Sequence, residues 1–282
     1  MEPGFLTRRH IVPFIILFFP SVNNFATHVQ TNIELQKGAL PSIGSLPLCY
    51  NLRMNTYIVA DIGRTQIRAA VFQAQNPNPV VIKKIRTRDK AQTPEERLIN
   101  LIREIWPKGT AVTGIVVAVP GYLDINNGIV VEAPNVPGWI DLPIRDMLQN
   151  EFQIPVVVGN DANIAAMGEY RYGAGKGHDN LLFLTISTGI GGGAIINGKL
   201  MSGARGLAGE FGHFTIIPDG PLCGCGHRGH LEAVASGTAI AKYVAERIAL
   251  GTPSSLSAIS NPSAADVSQA AAAGDALAIQ AI

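Results

Sequence analysis

Apolar residues fall along the chain in short runs, and their spacing predicts strands alternating with helices. Apolar runs of strand character at 57–60, 67–72, 114–119, 155–158 and 181–186, with a shorter one at Ile195–Ile196, read as strands. Helical patterning covers 95–106, about 162–172 and about 231–250. Strands interleaved with helices and joined by Gly-rich turns predict an α/β fold. No internal repeat or heptad is present. From Ser263 to Ile282 the chain is Ala-rich, with Gly274 the only break. Its last residues, from Ala276, read as helix with no C-cap Gly or polar stop, as though the chain ends inside an element.

The first 53 residues have a different character. Arg8-Arg9-His10 precedes an apolar run from Ile11 to Phe19, then Pro20 and a Ser/Asn/Thr-rich stretch. A basic patch before a short apolar core has the outline of an export signal. The run is too short to span a bilayer, and Pro13 interrupts it. The simpler reading makes residues 1–53 an upstream extension and Met54 the natural start, with lobes at 54–160 and 161–282.

Composition narrows the function classes. Lys and Arg number 22 and Asp and Glu 21, a formal charge of +1, which gives no basic surplus for neutralising nucleic-acid phosphates. Hydrophobic residues make up 47% and charged ones 15%, too apolar for a disordered chain. Three cysteines exclude a disulfide framework and point to a reducing, cytoplasmic setting; no later stretch suits a membrane helix.

Three turns carry candidate chemistry. Asp61-Ile-Gly63-Arg64-Thr65 lies between the strands at 57–60 and 67–72. Its Gly admits an anion to the backbone, Thr65 adds a hydroxyl, and Asp61 can orient hydrated Mg²⁺; an ordinary Asp-Gly hairpin has the same residues. Thr185-Ile-Ser-Thr188-Gly189-Ile-Gly191-Gly-Gly193 follows the run at 181–184 and is either a second anion cradle or a Gly-rich bend. Gly159-Asn160-Asp161-Ala162-Asn163 joins a strand to a helix. An Asp there either caps the helix or accepts a proton from an attacking hydroxyl.

The most specific signal is Glu210-Phe-Gly-His213 followed by Cys223-Gly-Cys225-Gly-His227-Arg-Gly-His230-Leu-Glu232. Soft thiolates with imidazoles suit tetrahedral Zn²⁺. His213, Cys223, Cys225 and His230 would close a four-ligand structural site, with His227 the rival fourth ligand. The glycines at 224, 226 and 229 are expected to let the loop wrap the ion.

In this order the motifs resemble those of the ROK family (repressors, open reading frames and kinases). The likeness runs from Met54 to Ile282. It also takes in Val119-Pro120-Gly121, Ala133-Pro134-Asn135 and the Cys-Gly-Cys-Gly-x-x-Gly-x-x-Glu pattern at 223–232. The resemblance implies an actin-like ATPase (ribonuclease H-like) fold of two lobes, with a sugar cleft between them, a zinc-binding loop and a homodimer. It implies an ATP-dependent hexokinase-type activity on glucose above other hexoses.

Carried over by residue, Asp161 is the expected general base. Gly121, Asn135, Asn160, Glu210, His213 and Glu232 are the expected sugar contacts. Asp61, Gly63, Thr65, Thr188, Gly189 and Gly191 are the expected holders of ATP and Mg²⁺. His213 serves both zinc and sugar on this likeness, so a structural Zn²⁺ orients the sugar site without doing chemistry.

The chain departs from the family pattern at four points. Arg64 replaces a Gly and either crowds the phosphate loop or points away; Gln66 replaces a common Lys. His230 stands where the family has a third zinc cysteine. Family members also continue past this ending, through a Gly-rich turn that closes over the adenosine. The competing classes are a sugar-responsive transcriptional regulator, for which residues 1–53 offer no evident helix-turn-helix, and a catalytically impaired sugar binder.

Overall fold

The computed structural model describes residues 14–17, 56–74, 76, 78–204 and 206–282. The reading of residues 1–53 lies outside these, apart from a short strand, β1 (Phe14–Leu17). The described chain divides into two compact units. One comprises residues 56–183 with Gly193–Ala208, and the other Leu184–Gly192 with Gly209–Ile282.

After β1 the strands are β2 (Thr56–Ile62), β3 (Gln66–Gln73), β4 (Val81–Arg86), β5 (Val112–Val119), β6 (Tyr122–Asp124), β7 (Ile129–Glu132), β8 (Ile140–Leu142), β9 (Val156–Asn160), β10 (Leu181–Ile186), β11 (Ile190–Ile196) and β12 (Lys199–Leu200). The helices are α1 (Pro94–Ile105), α2 (Ile144–Phe152), α3 (Asp161–Tyr172), α4 (Leu231–Ala235), α5 (Gly237–Ala249), α6 (Ala264–Ala272) and α7 (Ala276–Ala281).

The first unit is built on a five-stranded sheet in the order β4-β3-β2-β5-β9. β2, β5 and β9 run parallel, while β3 and β4 extend the sheet as antiparallel hairpins. Parallel strands are covered on both faces, which is why their sequences read as unbroken apolar runs. On one face Ile58, Ala60, Ile62, Ile115, Val117 and Val158 pack with Leu98 and Ile102 of α1 and Ile144 and Leu148 of α2. On the other, Val59, Phe72, Val116 and Ala118 pack with Ile164 of α3. Helix α1 begins at a capping box, Thr93 accepting from the Glu96 amide while Glu96 accepts from the Thr93 amide, with Pro94 in the first turn.

Strands appear in every run predicted to hold one. Strand β4 was not expected. Its sequence, Val-Ile-Lys-Lys-Ile-Arg, is largely exposed on the outside of the sheet and carries Lys83, Lys84 and Arg86. The three-stranded sheet β6-β7-β8 also lacks a sequence signal, because its strands have only three or four residues. The predicted helix over 231–250 is in fact two. Ser236 lies in extended backbone (φ −72°, ψ 161°) and its hydroxyl accepts from the Ala239 amide, so it ends α4 and caps α5. A second sheet has the order β1-β10-β11-β12. Among the described residues, no helix is long and apolar enough to cross a membrane.

The second unit closes on a small core of Val244, Leu256, Val267, Ala270, Leu277 and Ala278. Asp275 ties it together. One carboxylate oxygen accepts from the Ala278 amide at the start of α7, and the other accepts from the Ser255 amide and the hydroxyls of Ser254 and Ser255. These donors, the Ala278 amide foremost, hold the carboxyl well below the usual Asp range. A depressed folded-state pKa stabilises fully above the unfolded value of about 3.9 and is lost as pH falls through the folded one. Asp275→Ala should therefore lower the melting temperature at neutral pH, and thermal melts should show the gap to wild type closing below about pH 4.

Candidate functional site

The β2–β3 turn positions the first predicted group. Asp61, next to last in β2, pairs opposite Arg68, and the Arg68 guanidinium donates to Asp61 Oδ2 at 3.2 Å. Burial pushes the Asp61 carboxyl up, and the Arg68 charge and hydrogen bond oppose that. The Gly63 amide donates to the Gln66 carbonyl at 2.9 Å, so this donor closes the turn itself. Thr87, fully buried, grips the turn from β4's end: its hydroxyl donates to the Gly63 carbonyl at 2.6 Å and its amide to the Thr65 carbonyl at 3.0 Å. Arg64 and Thr65 are exposed at the tip.

Parallel pairing sets Asn160 beside Val119, so the chain leaving β9 meets the chain leaving β5. Asn160 Nδ2 donates to the Gly121 carbonyl at 3.4 Å, and its Oδ1 accepts from the Asn163 amide as the N-cap of α3. The capping role therefore falls to Asn160. Asp161 is the first helical residue, with Oδ1 accepting from the Ala162 amide at 2.8 Å. Gly121 has φ +91°, and a Cβ there would lie 2.3 Å from the Glu132 carbonyl oxygen, so no other residue fits. It thereby backs onto the Glu132–Ala133 segment that leads to Asn135, which is exposed in a tight turn closed by Val136 N–H on the Ala133 carbonyl.

In the second Gly-rich segment the turn is short. Ser187 N–H donates to the Gly189 carbonyl at 2.9 Å, and β11 already begins at Ile190, which places Gly191 in the strand and Thr188 and Gly189 in the turn. Glu232 Oε2 accepts from the Ile190 amide at 2.9 Å.

The Cys/His loop is a small hairpin. Cys223 N–H donates to the His227 carbonyl, Gly229 N–H to the Pro221 carbonyl, and Ile216 N–H to the Gly229 carbonyl. Gly229 has φ +71°, and a Cβ there would sit 1.6 Å from the Ile217 carbonyl oxygen. Gly224, by contrast, has open space where a Cβ would go and no positive φ, so the expectation that all three glycines shape the loop is corrected at that position.

Ligand atoms of His213, Cys223, Cys225 and His230 all lie within 4.8 Å of one another. Cys223 Sγ is 3.7 Å from His213 Nδ1 and Cys225 Sγ is 3.2 Å from His230 Nδ1, close to the roughly 3.3–3.8 Å between neighbouring ligand atoms of tetrahedral zinc. The Cys225 thiol is pulled down to about 6, chiefly by the His227 backbone amide, which favours the thiolate that a metal requires. His227 stacks on His230 from outside, its Nδ1 3.8 Å from Cys225 Sγ. The donor set thus fits zinc. His213 turns its other nitrogen toward Glu210, with Nε2 3.8 Å from Oε2. Burial raises the Glu210 carboxyl; His213 opposes this and Glu232 adds to it.

A family model described as "ROK family" matches residues 57–282. The chain belongs to the ROK family. Its fold is the mixed α/β, actin-like ATPase fold of ROK sugar kinases. A glucokinase of Halalkalibacterium halodurans is 43% identical over 174 residues, covering 60% of this chain and 52% of that protein. A ROK family glucokinase from Streptomyces griseus, solved with glucose and AMPPNP, superposes with a TM-score of 0.68 at 36% identity, covering 80% of this chain and 74% of that one. The xylose repressor of Bacillus subtilis is 45% identical over 129 residues, 46% of this chain and 33% of the repressor. The chain spans 52–60% of the length of the first glucokinases it matches.

Two residues of this ROK chain escaped the sequence reading. Arg68 had a usable signal, since a turn pairing Ile62 with Ile67 necessarily pairs Asp61 with Arg68. Thr87 had none, because it follows an unrecognised strand. Gly121→Ala should cost about 1–3 kcal/mol through left-handed strain and the Glu132 clash, and a denaturant titration measures it.

Proposed function

We propose that this chain carries an ATP-dependent hexose kinase site, with glucose as the acceptor and Asp161 as general base. The observation that carries the reading is the place of Asp161, at the start of α3 just past a parallel strand end, with Gly121 and Asn160 hydrogen-bonded beside it. Ligands of open α/β sheets bind at such strand ends, and a helix N-terminus suits a carboxylate. The likeness to glucokinases supports the substrate class.

In the proposed reaction the sugar's primary hydroxyl gives its proton to the Asp161 carboxylate as its oxygen bonds to the γ-phosphorus. The bond from that phosphorus to the bridging oxygen of ADP breaks, and the electron pair leaves with ADP. Gly121 lies near the ring, and the remaining hydroxyls are assigned to Asn135, Asn160, Glu210, His213 and Glu232. A site that hydrogen-bonds the hydroxyls of a sugar discriminates against analogues that lack them. Asp61, Gly63, Thr65, Thr188, Gly189 and Gly191 are assigned to the phosphates and their Mg²⁺, which supplies charge neutralisation. His213, Cys223, Cys225 and His230 are assigned to one structural zinc, which supplies order to the loop bearing His213 and Glu232.

A coupled ADP-release assay over a panel of hexoses tests the reading, with glucose expected to be turned over fastest. Asp161→Asn should lower the rate by about 10²–10⁴-fold, while equilibrium glucose binding stays close to wild type; an active variant removes Asp161 as the base. The likeness to the xylose repressor favours a second reading, a sugar-responsive regulator. That reading expects hexose binding and sequence-selective DNA retention without turnover.

The metal assignment has its own check. After dialysis with zinc, elemental analysis should find about one ion per chain in wild type and in His227→Ala, and close to none in Cys223→Ser or His230→Ala.

A further inference from the structure

Within the second unit, the turn from Ser187 to Ile190 is bound to the segment that follows the Cys/His loop. The Ser187 carbonyl accepts from the Gly237 amide at 2.8 Å, and the Thr188 carbonyl accepts from the Thr238 hydroxyl at 2.8 Å and its amide at 3.4 Å. These donors come from the first turn of α5, fixed by the Ser236 cap. The remaining contact comes from Glu232, two residues past His230, whose Oε2 accepts from the Ile190 amide at 2.9 Å. Its other oxygen accepts from the protonated Cys223 thiol at 3.8 Å; a metal-bound thiolate has no such proton to give, so with an ion bound the link runs through His230 and α4. One carboxylate therefore touches the metal-ligand cluster on one side and the turn on the other.

The fit around this carboxylate is close. A Cβ on Gly189 would lie 2.3 Å from Glu232 Oε2, and one on Gly212, next to His213, would lie 2.1 Å from the Ile190 carbonyl oxygen. Helix α4, which carries Glu232, has five residues and no buried side chain. A helix so short does not hold itself. Its ends are held from outside or by the backbone: Leu231 N–H donates to the Phe214 carbonyl at 2.9 Å, directly after His230, and Ser236 N–H donates to the Glu232 carbonyl.

We propose that Glu232 is a positioning residue that couples the metal cluster to the turn: zinc bound by His213, Cys223, Cys225 and His230 fixes α4, and Glu232 then fixes the Ile190 amide and Gly189. This rests on the readings of the cluster as a zinc centre and of 187–190 as a phosphate-side turn, and adds a link that neither contains. Coupling of this kind is reciprocal, so disturbing the turn must weaken zinc by the same factor that zinc steadies the turn.

Hydrogen–deuterium exchange of the full chain, with and without zinc, reads the link without any enzymatic turnover. Zinc should slow exchange at Ile190 by about tenfold or more, the scale of a hydrogen bond to a charged acceptor. Glu232→Ala should abolish the slowing, whereas Glu232→Gln, which keeps an acceptor oxygen, should retain part of it. Gly189→Ala touches no metal ligand and displaces the carboxylate, so it should weaken zinc binding by a similar factor. It carries the test alone if Glu232→Ala does not fold. Zinc bound at one ion per chain with unchanged Ile190 exchange overturns the coupling and spares the metal centre. Failure to take up zinc overturns both. Zinc-dependent exchange in a chain that phosphorylates no hexose supports the coupling and removes the kinase reading alone.

Discussion

The parallel pairing of β2, β5 and β9 governs the chemistry of the first unit. Asp61 is level with Ala118, and Val119 with Asn160, so three strands reach the same edge of the sheet within a residue of one another. The polar groups that follow them, Asp61 with its Arg68 partner, the Gly121 bend and the Asn160-Asp161 helix start, are delivered there together. Apolar packing on both faces enforces the register, because a one-residue slip would send every core side chain to the opposite face. The position of Asp161 is therefore fixed by Val156 and Val158 as much as by its own neighbours.

The second unit around the Cys/His loop is organised differently. Few apolar side chains are buried in the loop, and its form comes from backbone hydrogen bonds, from Gly229 pressed against the Ile217 carbonyl, and from Cys223 and His230 sunk beneath Cys225. A hairpin with so little apolar burial has little to offset its ordering entropy. Clustering of two thiols and two imidazoles supplies a place where ion binding would offset it. Glu210, with its raised carboxyl, and His213, with one nitrogen on the cluster and the other toward Glu210, then hang from that same support.

Much of this was legible in the sequence because it depends on local pattern. Unbroken apolar runs gave β2, β3, β5, β9 and β10, and the Cys-Gly-Cys spacing pointed to His213, Cys223, Cys225 and His230, whose candidate ligand atoms lie within 4.8 Å of one another. What was not legible depends on contacts distant in the chain or on marginal elements. Strand β4 mixes lysines with isoleucines because only its inner neighbour, β3, is covered. Helix α2 starts at Ile144, after a Pro143 that provides no side-chain cap. The break at Ser236 looks like any serine within an apolar periodic stretch until the Ala239 amide is seen on its hydroxyl. Glu232 was assigned from the motif to sugar contact alone. Its hold on the Ile190 amide spans 42 residues and has no sequence trace.

Strand β4 has a bearing on how the chain behaves among its own copies. As an outer strand it offers unpaired backbone groups to any neighbour that approaches the sheet in plane. Lys83 of that strand is paired with Glu104, but Lys84 and Arg86 line it as well, so two copies meeting edge to edge would bring these four further cations together. Like charges brought that close repel, and the sheet resists growing from one molecule into the next while the protein is newly made and crowded.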